Sequence, residues 1–343
     1  MTIFDLVKAV EITAYWDNMI NERENFLGEE LWPDAKKLGI DLSWFKGASG
    51  LPVVLKPSAF DVNAIPRPRI GFEKLSAEMP FFKESMYVDE KMRQELNIVL
   101  QTGNKAYINI LVDKIFNDEV TLLEAARVRR EQMRMSALTT GYIDINANGQ
   151  DLSYDFGLPE THKPTVETSW SDANADIITD IRTYQDMIED DTGVRPTRAV
   201  CSRKTFGYLT RNTNVRNAIL RNDTGVSVRD GQVIAYLRDA LDLDIVIYTK
   251  RYKDDAGTST KYVPDDLMVL MPPTTLGNTW FGTTPEESDL LTSKVANVAI
   301  TDTGVAVTTI EHPDPVNVET KVTQICLPDF PMADQICIID VIA

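Results

Sequence analysis

Histidine is almost missing from this chain: only His162 and His312 occur, in the proline-bearing stretches "ETHKPT" and "IEHPDP". Both read as surface turn residues. Two isolated imidazoles argue against a histidine-built metal centre and against a histidine general base. Cysteine is nearly as scarce. Cys201, Cys326 and Cys337 are odd in number, and no two have CxxC spacing. They read as buried thiols in a reducing compartment. The N-terminal "MTIFDLVKAVEITAYW" carries acids early and lacks a basic stretch followed by a long apolar run. Neither a signal peptide nor a membrane span is expected, and no membrane partner; synthesis is expected in the cytoplasm. Positive charge is also short. Thirty-five Lys and Arg stand against 52 Asp and Glu, for a net charge of −17. Tight phosphate binding needs clustered cations, so nucleic acid is not expected as a direct ligand.

Signatures of catalysis are missing too. "GASG" at 47–50 has no Lys-Ser/Thr behind it, no GxGxxG follows a strand, and no GxSxG is present. "TLGNTWFGTTPE" at 275–286 has glycines but no obvious helix to present amides to a phosphate. "IEDDTG" at 188–193 has no second ligand cluster at calcium-loop spacing. It reads as a solvated helix end. Acids there oppose the helix macrodipole, so a basic partner is expected nearby. No catalytic, cofactor-binding or metal-binding residue and no cofactor can be assigned. A chain of this size without a recognisable site is more readily structural than catalytic.

What is present is an ordinary globular composition, long enough for two or three units with cores. Residues 1–45 mix acids and aromatics and read as an arm with short helices. Residues 46–86 contain prolines at 52, 57, 66, 68 and 80, which exclude a long helix and a central strand. Alternation in "LPVVLKPSAF" and "IGFEKLSAEMPFF" predicts two strands of a long hairpin. The stretch is too apolar to stand alone in water and should lie on another surface. Residues 88–140 read as three helices: one capped by Asp89, a break at "TGN", a second through "KAYINILVDKIF", and a third begun at Asn117–Asp118. Leu122, Ala126, Met133 and Ala137 make a stripe on the third, and Gly141 ends it. "YIDINANGQDLSYDFG" predicts a tight hairpin. Residues 166–295 alternate helix and strand, as helices around a small sheet do. The tail returns to strands.

One feature is out of proportion. In "EAARVRREQMRMSALTTG", Arg127, Arg129, Arg130 and Arg134 crowd the end of a helix in an acidic chain. Complementing the helix dipole needs fewer. Arginine is favoured where two surfaces meet, and these are read as candidates for contacts between subunits.

Four stretches then resemble a known family: "EKLSAEMPFFKESMYVDEKMRQEL", "RREQMRMSALTTGYIDI", "YVPDDLMVLMPPTTLGNTWFGTTPEE" and "HPDPVNVETKVTQICLPDFPMADQICIIDVI". In this order they are similar to the tailed-bacteriophage major capsid protein, and most of all to the phage lambda type of major head protein. The resemblance implies an α+β fold. Its expected parts are an N-terminal arm (1–45), an extended loop hairpin (46–86), a peripheral domain with a long spine helix (87–165 and 296–343) and an axial α/β domain (166–295). It implies self-assembly into pentamers and hexamers of an icosahedral head enclosing double-stranded DNA, with packaged DNA a neighbour by proximity only. Arg127, Arg129, Arg130 and Arg134, with Lys56 and Lys74 of the loop, become candidates for contacts between subunits. Only about 45 residues precede the loop, so a separate scaffolding protein is expected. A portal protein and a decoration protein at three-fold sites are further partners the resemblance implies. The place implied is the virion capsid, with assembly in the host cytoplasm. Two other readings stay open: an encapsulin-type nanocompartment shell, and an α/β enzyme with an unrecognised site.

Overall fold

A computed structural model describes residues 7–19, 23, 25–46, 73–88, 90–102, 105–220, 228–254, 257–290, 296–313 and 316–343. The chain divides into two compact units, one of Met1–Leu42, Ala77–Met133 and Asn278–Asp329, the other of Ser43–Ser76, Arg134–Gly277 and Phe330–Ala343. These boundaries cut the chain differently from the expected 87–165, 166–295 and 296–343.

The first unit is built on a six-stranded sheet. Its longest strand, Val316–Pro328, pairs antiparallel with Val305–Pro313 on one side. On the other side it pairs with Phe81–Tyr87 and then Thr279–Phe281. Asn297–Thr301 extends the sheet beyond Val305–Pro313, and Asp34–Lys36 lies parallel to Thr279–Phe281. The sequence explains the depth of burial. Val305 and Val307 share a face with Thr309, and Val318 and Val322 share one with Thr320; the β-branched threonines also suit a pleated surface. The helix Ala9–Asn18 packs on the outer strands, burying Ala9, Ile12, Thr13 and Trp16, the spacing of one helical face. The N-terminal segment expected as an arm is thus part of a core.

The second and third expected helices are one. Lys105–Thr140 runs for 36 residues, about 54 Å at 1.5 Å per residue. Asn117 and Asp118 sit inside it. No Gly or Pro interrupts the run, and Asn or Asp costs only about 0.5 kcal/mol of helix propensity. The buried Leu111, Ile115, Leu122 and Leu123 outweigh that. The preceding helix ends at Thr102, as the "TGN" signal predicts. The long helix stops where expected: Gly141 has φ +81°, and a Cβ there would sit 3.0 Å from Leu158. The hairpin Tyr142–Ala147/Gln150–Asp155 follows, with Asn148 (φ 53°) and Gly149 (φ 75°) in the left-handed turn its sequence calls for.

The second unit centres on a four-stranded sheet in the order Cys337–Asp340, Leu267–Met271, Arg198–Cys201, Asp244–Ile247. The last two strands are parallel, joined by the helices Arg203–Arg211, Thr213–Leu220 and Asp230–Leu241. With the helix Ile177–Thr192 they bury one apolar cluster that includes Trp170, Ile181, Phe206, Leu237 and Leu270. Local signals close these helices. Asp176 accepts from the Thr179 amide and Ser202 from the Thr205 amide at their N-termini, while Gly193 (φ 73°) closes a C-terminus. Of the expected loop hairpin at 46–86, residues 47–72 lie outside the described residues. The described parts are strands: Asp41–Lys46 pairs with Glu73–Glu78, and Phe81–Tyr87 joins the large sheet.

Candidate functional site

Three of the four arginines lie on one stripe. Arg127, Arg130 and Arg134 are spaced three and four residues apart, which places them on the same face of the helix. All three are buried, Arg130 to 2% exposure and Arg134 to 0%. Arg129 falls off that stripe and is half-buried.

Arg127 grips the N-terminal segment. Its Nε and Nη2 donate to the two carboxylate oxygens of Glu29 at 2.7 and 2.8 Å, a two-point fork. Its guanidinium also lies 4.7 Å from the centre of the Phe26 ring. Burial works against the charge, but the fork outweighs it and holds the Arg127 pKa above the ordinary arginine value. One turn on, buried Glu131 accepts from the Gly28 amide at 3.2 Å.

Arg130 grips the sheet. Nη1 donates to Gln324 Oε1 at 2.9 Å and Nη2 to Asp302 Oδ2 at 2.8 Å. Gln324 in turn donates to the Ala126 carbonyl at 3.0 Å. Asp302 is a hub. It occupies a left-handed position (φ 46°) in the turn after Asn297–Thr301. There it also accepts from Trp16 Nε1 at 3.3 Å and lies 3.6 Å from Arg23. Helix, sheet turn and N-terminal segment therefore meet at one carboxylate.

Two further buried clusters stand in the same unit. Asp329 accepts from the Asn278 amide at 2.6 Å and from Trp280 Nε1 at 2.8 Å, while its carbonyl accepts from Trp32 Nε1 at 2.7 Å. Burial raises its pKa above the usual aspartate value. Glu286 pairs with Lys321 at 2.7 Å and accepts from Thr323 at 3.1 Å.

Arg129 donates to Gln132 at 2.6 Å and sits 5.8 Å from the centre of the Phe82 ring. Lys56 and the Lys74 side chain lie outside the described residues. The histidines differ from expectation. His162 is buried, because it lies in a short 3-10 turn with its Nε2 at 3.1 Å from Asp191. His312 lies in the strand Val305–Pro313 rather than a loop, with its Nε2 at 2.9 Å from Glu319. The acidic helix end has the basic partner its charge calls for: Arg195 Nη1 donates to Asp186 and Glu189, each at 2.6 Å. The three thiols are buried, and burial pushes Cys201 and Cys337 up to about 12.

These groups fasten distant segments together. None of these clusters sets a nucleophile beside a base, and among the described residues no cluster of carboxylates, imidazoles or thiols could hold a metal ion. Among the described residues, no helix is long and apolar enough to cross a membrane. Apolar side chains remain on the outside of the first unit, with Leu38 86% and Ile98 62% exposed.

Among curated proteins, none matches the sequence. Solved structures do match, at identities that bear on fold alone. The chain is similar to a protein assigned as a prophage capsid protein in Escherichia coli CFT073, at 15% identity and TM-score 0.63, over 98% of this chain and 99% of that one. It is similar to a phage-related protein from Bordetella bronchiseptica RB50, at 14% identity and TM-score 0.56, over 98% and 97%. It is also similar to the mature capsid protein of bacteriophage PhiM1, at 11% identity and TM-score 0.50, over 93% and 87%. The fold is the α+β fold of the tailed-phage capsid proteins. The family model for phage major capsid protein E matches residues 8–341, and the chain belongs to that family.

Proposed function

We propose that this chain is the repeating subunit of an icosahedral phage head, arranged as pentamers and hexamers around double-stranded DNA. The family match over residues 8–341 carries the reading. Such a protein is structural and resides in the virion capsid. The family favours neither the nanocompartment nor the enzyme reading. Catalysis has no part in the proposal.

The division of labour is as follows. The unit with the long strands and most of the long helix takes the peripheral role, and the α/β unit takes the axial role. The segment 46–86 takes the role of the extended loop, with Lys56 and Lys74 reaching a neighbouring subunit. The contact role expected of the four arginines narrows. Arg127 and Arg130 engage carboxylates of their own chain, and Arg134 is buried, so Arg129 is the one assigned to a neighbour. Exposed apolar side chains, among them Leu38, Ile40, Phe81 and Ile110, supply area for self-association. A net charge of −17 keeps packaged DNA a neighbour rather than a ligand. The lambda type, a separate scaffolding protein, a portal protein, a decoration protein and assembly in the host cytoplasm rest on the sequence resemblance.

The loop assignment has a direct test. Residues 50–70 are replaced by a short Gly-Ser linker, and the variant is sized by light scattering beside the intact chain. The expected result is unchanged helix content and unfolding midpoint with no shells. Shells formed by the variant would overturn the assignment.

A further inference from the structure

Glu119 places a carboxyl group where the fold has no use for a charge. It lies on the long helix, is 2% exposed, and its Oε2 has no hydrogen-bond partner. The strand Val316–Pro328 brings the buried Thr320 beside it, and the Thr320 hydroxyl likewise has no hydrogen-bond partner. Thr320 stands opposite Thr309 of the next strand. The charged neighbours of Thr320 alternate to the other face of the sheet. There Glu319 meets His312 at 2.9 Å and Lys321 meets Glu286 at 2.7 Å. The helix Glu90–Thr102 packs on the same strand and buries Leu96 and Val99, while its Arg93 pairs with Glu90 at 3.4 Å. Asp118, the adjacent residue, repels a charge on Glu119. An ionised carboxylate at this position has given up most of its water without a matching hydrogen bond.

We propose that Glu119 is a proton-operated latch on the packing of the long helix against the sheet. Protonated, it lets the helix seat on Val316–Pro328; ionised, it loosens that seat.

Burial pushes the Glu119 pKa from 4.5 up to about 7; Thr320 opposes the shift and Asp118 adds to it. The folded state thus holds a proton that the unfolded chain has already released across that window. The stabilisation is complete below about 4.5 and is lost as pH rises through about 7. The latch therefore tightens in acid and loosens on the alkaline side of neutrality.

The test is thermal unfolding of the full chain from pH 5 to pH 8.5, for wild type, Glu119→Gln and Thr320→Val, all in the same state of assembly. Glu119→Gln keeps the shape and removes the titration. The melting temperature of the wild type, relative to that of Glu119→Gln, should fall from pH 5 to about pH 7 and level off above it, and Glu119→Gln should be the more stable protein at pH 8. Other titrating groups are common to both and cancel in the difference. Thr320→Val removes the hydroxyl that favours the charged form, so its fall should extend to higher pH before it levels off. Parallel melting curves for wild type and Glu119→Gln would overturn the proposal. If Glu119→Gln does not fold, a Thr320→Val profile that levels off at the same pH as the wild type's would overturn it equally.

Discussion

In the unit of Arg134–Gly277 and its flanking segments, Trp170, Ile181, Phe206 and Leu270 meet in one apolar cluster. Its helices carry their own stop signals. In the unit of Met1–Leu42, Ala77–Met133 and Asn278–Asp329, much of the two longest strands is buried too, but Arg127, Arg130, Glu286 and Asp329 are taken inside with them. The difference follows from how each is assembled. The first gathers most of its core from one continuous stretch of sequence, so non-directional apolar burial suffices to close it. The second joins three segments far apart in the chain. Forked and charged hydrogen bonds contribute less net stability than their number suggests, since each buried charge has lost its water. They fix which segment meets which.

Breaking the Arg130 hub should have the largest effect. Arg130→Ala leaves Asp302 and Gln324 without the guanidinium and should cost about 4 kcal/mol in urea unfolding. Adding Asp302→Asn, which suits the left-handed turn position, should recover part of that loss. In the apolar unit, Ile181→Ala should cost about 3 kcal/mol by transfer and cavity terms. If Ile181→Ala proves far more costly than Arg130→Ala, the contrast between charged and apolar construction fails. Glu29→Gln breaks one arm of a fork that is partly open to water and should cost about 1–2 kcal/mol. Limited proteolysis within the first 30 residues should rise with it, since this contact holds the N-terminal segment. Gly193→Ala forces a Cβ into the left-handed region at φ 73° and should cost about 1 kcal/mol.

The same contrast decides what was legible in the sequence. The hairpin around Asn148–Gly149, the stop at Gly141 and the strands and helices of 177–271 were legible because their signals are local. Asn117–Asp118 misled because a cap residue is only a preference, and burial along Leu111–Leu123 overrides it. The spacing of Arg127, Arg130 and Arg134 on the stripe that faces inward was a signal of burial. Their partners, Glu29, Asp302 and Gln324, are 98 to 194 residues away, and no local pattern points to them. His162 was misplaced for a similar reason: proline neighbours suggested a surface turn, but the turn tucks its imidazole against Asp191. The family could be read from four long stretches because they lie in order along most of the chain, as the family match over residues 8–341 does.

The most direct measurement is electron microscopy of the purified full-length protein, expressed alone and together with a separate scaffolding protein. Closed icosahedral shells of uniform diameter, built from five- and six-fold clusters, are the predicted result. A homogeneous population of monomers or dimers under both conditions would contradict it.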